Sequence, residues 1–179
     1  MKTNYRIVLL MLAAVTAFSG CDSEEIDTAK PQILLIEPAE EEAYAPGSAI
    51  HFMVTLSDNE ALASYKVNIH GAFDGHDHSA SSPLRTGKAI TRATEDSMAL
   101  EITWLESDFI KLGEEPIAGK RSVTIQHHLM QVPDSINGRP VKEGHYHFTV
   151  YCTDSSGQES FIAREIVIGL MRGSVSIDD

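Results

Sequence analysis

The alternation of apolar and polar side chains in GHYHFTVYCTD, residues 144–154, constrains what this chain can fold into more than any other stretch. Tyr146, Phe148, Val150 and Cys152 recur at every second position, with His145, His147, Thr149 and Tyr151 between them. Successive side chains of a strand point to opposite faces, so a period of two makes one face apolar and the other polar. A helix would scatter the four apolar residues around its circumference. The stretch is therefore expected to be a strand that covers a core with one face and meets solvent with the other.

The same rhythm returns from Pro31 onward. Gln32 to Glu37 reads as a first strand, ended by Pro38. After the turn Pro46-Gly47, Ile50, Phe52, Val54 and Leu56 alternate with His51, Met53 and Thr55, and Asp58-Asn59 closes that strand. Tyr65, Val67 and Ile69 oppose Lys66, Asn68 and His70 in a third, ended by Gly71. Residues 72–96, rich in Gly, Ser, Asp and Thr, read as a long loop with a short strand around 88–92. Met98, Leu100, Ile102 and Trp104 mark another strand, as do Val123 and Ile125. Asp154-Ser155-Ser156-Gly157 turns the chain into a last strand from Ser160 to Ile168. Helical periodicity is nowhere sustained. Short strands between regular turn signals predict an all-β fold, an immunoglobulin-like antiparallel β-sandwich over residues 31–170 with a polar tail at 171–179.

Ahead of the domain, Lys2 and Arg6 precede an apolar run from Ile7 to Val15 and then the small-residue stretch to Cys21. Residues 1–20 are read as a signal peptide, because the apolar run is shorter than the roughly 20 residues of a spanning helix. Phe18 to Cys21 resembles a bacterial lipobox, although Phe18 stands where Leu is usual. That resemblance implies lipidation of Cys21, residues 21–30 serving as a polar tether. Asp22-Ser23-Glu24-Glu25 behind the cysteine resembles the export signal that sends some lipoproteins of Gram-negative bacteria to the outer surface, and it reads equally well as a solvated linker. The expected location is the cell envelope, on the outer membrane, with the lipid as the membrane contact.

Loss of residues 1–20 removes two positive charges and no negative ones, taking the net charge from −12 to −14. A surface this acidic excludes nucleic acid as partner and suits a protein that collects cations. With Cys21 lipidated, Cys152 has no partner and is expected to be a buried, inert thiol.

The turn, strand and hairpin pattern resembles bacterial immunoglobulin-like domains. More narrowly, QHHLMQVP and EGHYHFTVYCTDSSG resemble a family of unknown function made of small lipoproteins with HxH pairs, the likeness covering Lys30 to about Gly169. It implies a fold and no tested activity.

Seven of the eight histidines fall in three clusters, His70/His76/His78, His127/His128 and His145/His147, and the sandwich order is expected to bring all three, with His51, to one end of the molecule. In immunoglobulin order the third and sixth strands are antiparallel neighbours, so the end carrying His70 lies beside the start carrying His145 and His147. Those two are about 6.7 Å apart along one face, with the next strand about 4.8 Å away. Imidazole is the commonest ligand for late transition metals, and Zn²⁺ is expected first and copper second. His76 and His78 are expected to add ligands from the loop. Adjacent strand residues cannot share a face, so at most one of His127 and His128 is a ligand, His128 being favoured. His51 reads as structural. Two His-x-Met tripeptides hint at copper, weakly, since Met also fills ordinary strands. Asp58, Asn59 and Asp154 read as turn formers rather than a calcium site, for want of an acidic cluster.

Catalysis finds little support. A cupin would carry Glu four or five residues beyond HxH, where this chain has Tyr151 and Cys152 after one pair and Ser82 and Pro83 after the other. The disulfide of a copper-zinc superoxide dismutase is impossible, and GxSxG and HExxH are missing. The expected function is therefore a lipid-anchored metal-binding protein, not an enzyme, that buffers metal or passes it to an outer-membrane transporter or another envelope protein. Its affinity is expected to fall as pH drops through about 6.5, because imidazole ligands must be neutral. The alternative is an interaction module for a protein or glycan partner, without metal and with an exposed aromatic patch.

Overall fold

In a computed structural model, the structure describes residues 27–73 and 96–169. Ten strands run through them: β1 (Gln32–Glu37), β2 (Glu42–Tyr44), β3 (Ala49–Ser57), β4 (Leu62–Gly71), β5 (Glu101–Leu105), β6 (Ser122–Gln131), β7 (Ser135–Ile136), β8 (Arg139–Pro140), β9 (Gly144–Asp154) and β10 (Glu159–Ile168). One sheet has the order β1-β3-β6 and the other β2-β10-β9-β4-β5, and β7 and β8 form a separate ribbon. All pairs of named strands are antiparallel except β2 with β10. This is the expected all-β sandwich.

Alternation fills the space between the sheets. Ile50, Phe52, Val54 and Leu56 of β3 face Val67 and Ile69 of β4 and Tyr146, Phe148, Val150 and Cys152 of β9, all fully buried. Burial of each large side chain stabilises by about 1.5–3 kcal/mol, which pins the register, because a slip of one residue would turn every one of them to water. The Cys152 thiol is free and buried, and desolvation with the nearby Asp58 and Asp154 charges pushes its pKa up to about 12. A thiol held that high stays protonated at neutral pH and is a poor nucleophile. Tyr146 Oη donates to the Lys142 carbonyl oxygen at 2.6 Å and accepts from the Leu100 N–H at 3.2 Å. A tyrosine at the start of this strand bonded to backbone just upstream is an immunoglobulin-type corner.

Two expectations are corrected. The strand expected from Met98 begins only at Glu101, and Met98 forms an isolated bridge to Val141. A six-residue helix, α1 (Glu106–Lys111), follows where no helical period was visible. One turn and a half is too short for a period, and α1 is held instead by tertiary packing. Its Phe109 is fully buried, stacks on Tyr65 at 5.7 Å and lies 4.7 Å from the His127 ring, closing the side of the sandwich. The β7–β8 ribbon is too short to show alternation, although Asn137-Gly138, with φ of 52° and 77°, is the dipeptide such a turn requires.

Candidate metal centre

Strand register builds the site. His70 of β4 pairs with His147 of β9, while Glu101 of β5 pairs with His70 and Glu165 of β10 with His147. Cross-strand partners share a face, so Glu101, His70, His147 and Glu165 form one row across the outer face of the five-stranded sheet. His147 Nδ1 lies 3.4 Å from His70 Nε2, with the rings 5.2 Å apart and edge-to-face. His70 Nδ1 is 2.7 Å from Asn68 Oδ1. An amide oxygen can only accept, so His70 donates its Nδ1–H there and turns the lone pair of Nε2 toward His147.

A separation of 3.4 Å is long for a hydrogen bond between nitrogens. It matches the edge of a zinc tetrahedron, in which two nitrogens each about 2.0–2.1 Å from the ion stand about 3.3–3.4 Å apart. His145, two residues before His147 on the same face, is half-exposed and its Nδ1 lies 2.7 Å from Glu165 Oε1. Donation of Nδ1–H to a carboxylate is the arrangement that orients a ligating imidazole. The three imidazoles are not gathered to within 4.8 Å of one another. Histidines 76 and 78 lie outside the described residues, as do Cys21 and the short strand expected around 88–92.

Two glycines shape the exit of the chain from β4 at this end. A Cβ on Gly71 would lie 2.4 Å from the Phe73 ring, and one on Gly144, whose φ is +142°, would lie 2.8 Å from it. Phe73 therefore packs flat over the end of β4 and the start of β9, edge-to-face with Tyr146 at 5.3 Å and under the Lys142 ammonium at 3.7 Å. The Ala72 N–H donates to the His145 carbonyl oxygen at 3.0 Å. The chain thus leaves β4 directly beside the His70–His147 pair.

The other histidines belong to the other sheet. His127 is 7% exposed and packs its ring 5.1 Å from Phe52, on the core face of β6. Burial lowers its pKa, the Glu114 charge opposing this only in part, so the ring is held neutral. His128 is exposed, and its ring lies 4.4 Å from that of His51, which is exposed as well rather than packed in the core. This pair sits on the outer face of the three-stranded sheet, across the whole sandwich from His70 and His147. Side chains on opposite outer faces of sheets about 10 Å apart do not reach one ion. The six described histidines thus form no single constellation.

Farther along the outer face of the five-stranded sheet, Tyr151 and the 60% exposed Phe161 lie 5.8 Å apart, with the Lys66 ammonium 4.4 Å from the Tyr151 ring. A shallow depression of about 90 Å³ lined by His70, Thr149, Tyr151, Phe161 and Ala163 joins this patch to the histidine row. A larger one, about 500 Å³, lies between α1 and the sheet over Tyr65, Lys66 and Tyr151.

His70, His145 and His147 share the outer face that alternation assigns them, while Asn68 and Glu165, which contact His70 and His145, carry no local signal of a site. What places them is register: both stand on the polar side of their strands.

A family model described as "Domain of unknown function (DUF4625)" matches residues 18–169. No curated protein matches the chain. Among solved structures it is similar to the PmoD soluble domain from Methylocystis sp. ATCC 49242 (Rockwell), at 14% identity and a TM-score of 0.25, over 78% of this chain and 90% of that one. It is also similar to a β-glucosidase from Listeria innocua in complex with isofagomine, at 15% identity and a TM-score of 0.31, over 79% of this chain and 17% of the enzyme. Similarities this distant carry no functional argument.

Proposed function

We propose a function for a chain that belongs to DUF4625, a family of domains of unknown function: it is a lipid-anchored protein of the cell envelope that binds a divalent transition metal, zinc before copper, and it is not an enzyme. The observation that carries the reading is the His70 Nε2 to His147 Nδ1 separation of 3.4 Å, with Asn68 Oδ1 accepting from His70 Nδ1 and so leaving the lone pair on Nε2. His145, whose Nδ1 lies 2.7 Å from Glu165 Oε1 on the same face, is the proposed third ligand, and His76 and His78 are the proposed loop ligands. Zinc is favoured because two imidazoles with carboxylates beside them form a borderline donor set, and no thiolate or thioether stands in the row to favour Cu(I). Cys21 is the proposed lipid attachment, and the metal is buffered or handed to an outer-membrane transporter.

Elemental analysis of protein purified without a His tag or chelating resin, followed by zinc calorimetry, tests this. One zinc per chain is expected, with affinity lost in the double variant His145→Ala/His147→Ala. Equal affinity in wild type and double variant would overturn the reading.

A second reading is supported by the Tyr151–Phe161 patch, which is the exposed aromatic surface an interaction module requires. It predicts that Phe161→Ala abolishes capture of a protein or glycan partner in zinc-free buffer. Partner binding that is unchanged in Phe161→Ala, or that requires zinc, rules it out.

A further inference from the structure

Carboxylates gather at the end of the sandwich opposite the histidine row. One oxygen from each of Asp27, Asp58 and Asp154 lies within 4.8 Å of the other two, and no other group of three or more His, Cys, Asp or Glu among the described residues comes as close. Asp58 follows β3, Asp154 ends β9, and Asp27 precedes β1. Read alone, each is a turn former, and the hydrogen bonds bear that out for one oxygen of each. Asp58 Oδ1 accepts the Glu60 and Ala61 N–H groups, both at 2.9 Å. Asp154 Oδ1 accepts those of Ser156 and Gln158 at 2.9 and 2.8 Å. Asp27 Oδ1 accepts from the Ala29 N–H at 2.9 Å and the Asn59 side-chain amide at 3.0 Å.

The second oxygens are what turn formation leaves unexplained. Oδ2 of all three aspartates is sealed from solvent and has no hydrogen-bond partner. Asp154 as a whole is 1% exposed. No ion pair among the described residues brings Lys or Arg to any of the three. Buried carboxylate oxygens are hydrogen-bonded, paired with a cation or bound to a metal, and these have neither of the first two.

We infer that Asp27, Asp58 and Asp154 bind a hard divalent cation of the calcium class, distinct from the transition metal proposed for the histidines. The donors are all oxygen, which selects calcium or magnesium over zinc and copper. Calcium, at about 2.3–2.6 Å from each ligand, accepts oxygens up to about 5 Å apart across the ion, whereas magnesium needs a tighter octahedron. Three side chains leave several of the six to eight positions to water or backbone oxygens, so affinity belongs in the range of extracellular modules, a Kd of about 10⁻⁴–10⁻³ M. The ion ties the segment before β1 to the β3–β4 and β9–β10 turns. Gln158 Nε2 already donates to the carbonyl oxygens of Asp27 and Ala29, each at 3.1 Å. Bound calcium therefore sets the direction in which the N-terminal segment leaves the sandwich.

The full-length protein, stripped with a chelator, is to be titrated with CaCl₂ by calorimetry and melted with and without 10 mM CaCl₂. One calcium site is expected, with a rise in melting temperature of about 3–10 °C. Magnesium gives a smaller rise. Asp27→Asn, outside every strand, lowers calcium affinity at least tenfold while the calcium-free melting temperature stays within about 2 °C of wild type. Asp154→Asn, which keeps Oδ1, loses calcium as well, and zinc titration is unchanged in both. Absence of calcium heat from folded wild-type protein overturns the site, as does wild-type calcium affinity in both variants.

Discussion

Strand β9 carries two kinds of ligand chemistry at its two ends. His145 and His147 lie at its start, Asp154 at its finish, and His147 and Asp154 are separated by about 23 Å of strand. The histidine end is half-exposed and built on a sheet face, where the pairing of His70 with His147 alone sets the spacing. The carboxylate end, with Asp154 buried and Asp27 and Asp58 half-buried, is built on turns, where Asp58 and Asp154 take their direction from backbone N–H groups. A sheet can hold two donors close by register, with no loop involved. A third donor from another segment needs either a loop laid over the sheet or several turns meeting at one end. The same strand thus offers nitrogen ligands at one end and oxygen ligands at the other, and a transition metal and calcium would not compete.

Four variants break or sharpen that contrast. The largest effect is expected from His70→Ala, which removes one of the two paired nitrogens and should weaken zinc binding at least about a hundredfold, leaving calcium binding intact. A matching fall in calcium affinity would show that the two ends are coupled. Next is Gly144→Ala, which places a methyl 2.8 Å from the Phe73 ring at a φ of +142°. It should cost about 2 kcal/mol in urea denaturation and reduce zinc affinity, since Phe73 has to leave the end of β4, while the calcium midpoint stays unchanged. Asn68→Ala should weaken zinc about tenfold with little change in melting, because Asn68 orients His70 without touching the metal. Equal affinity would mean that the His70 ring is oriented by something else.

The smallest effect concerns the buried imidazole of the other sheet. His127 has a lowered folded-state pKa, chiefly from desolvation, so its unfolded form takes up a proton at higher pH than its folded form. Stability from this residue is complete above the ordinary value of about 6.5 and is lost as pH falls toward and through the lowered folded value. His127→Phe keeps the ring contacts with Phe52 and Phe109 and removes the buried, unpartnered Nε2. It should stabilise by about 1 kcal/mol and flatten the decline of urea stability below pH 6.5, with zinc binding unaffected. A decline as steep as in wild type would assign the pH response elsewhere.

Particular residues show where sequence reading stopped. The outward placing of His70 and His147 was legible because each alternates with core residues on its own strand, Ile69 in one case and Tyr146 and Phe148 in the other. His127 was separable from His128 for the same reason. Strand order leads to one end of the sandwich for all the histidine clusters, but alternation says which side of its own sheet a residue occupies and nothing about which sheet. His51 and His128 are therefore neighbours of each other and strangers to His70. Helix α1 and the β7–β8 ribbon escaped for lack of length, although Asn137-Gly138 announced the second. Asp58 and Asp154 read as turn formers for want of an acidic cluster, and Asp27 drew no reading, because positions 27, 58 and 154 have no periodic relation that would place them together.

By itself, the sequence determined the sandwich, the core residues and the pairing end of β4 and β9, because a period of two, a buried face and turn chemistry are local and act on consecutive residues. Only the tertiary structure decided the rest: which imidazoles meet at 3.4 Å, that Asn68 and Glu165 contact them, and that one oxygen from each of three distant aspartates comes within 4.8 Å of the other two. Those relations depend on how segments far apart in the chain are brought into register or against one another, which no local pattern encodes.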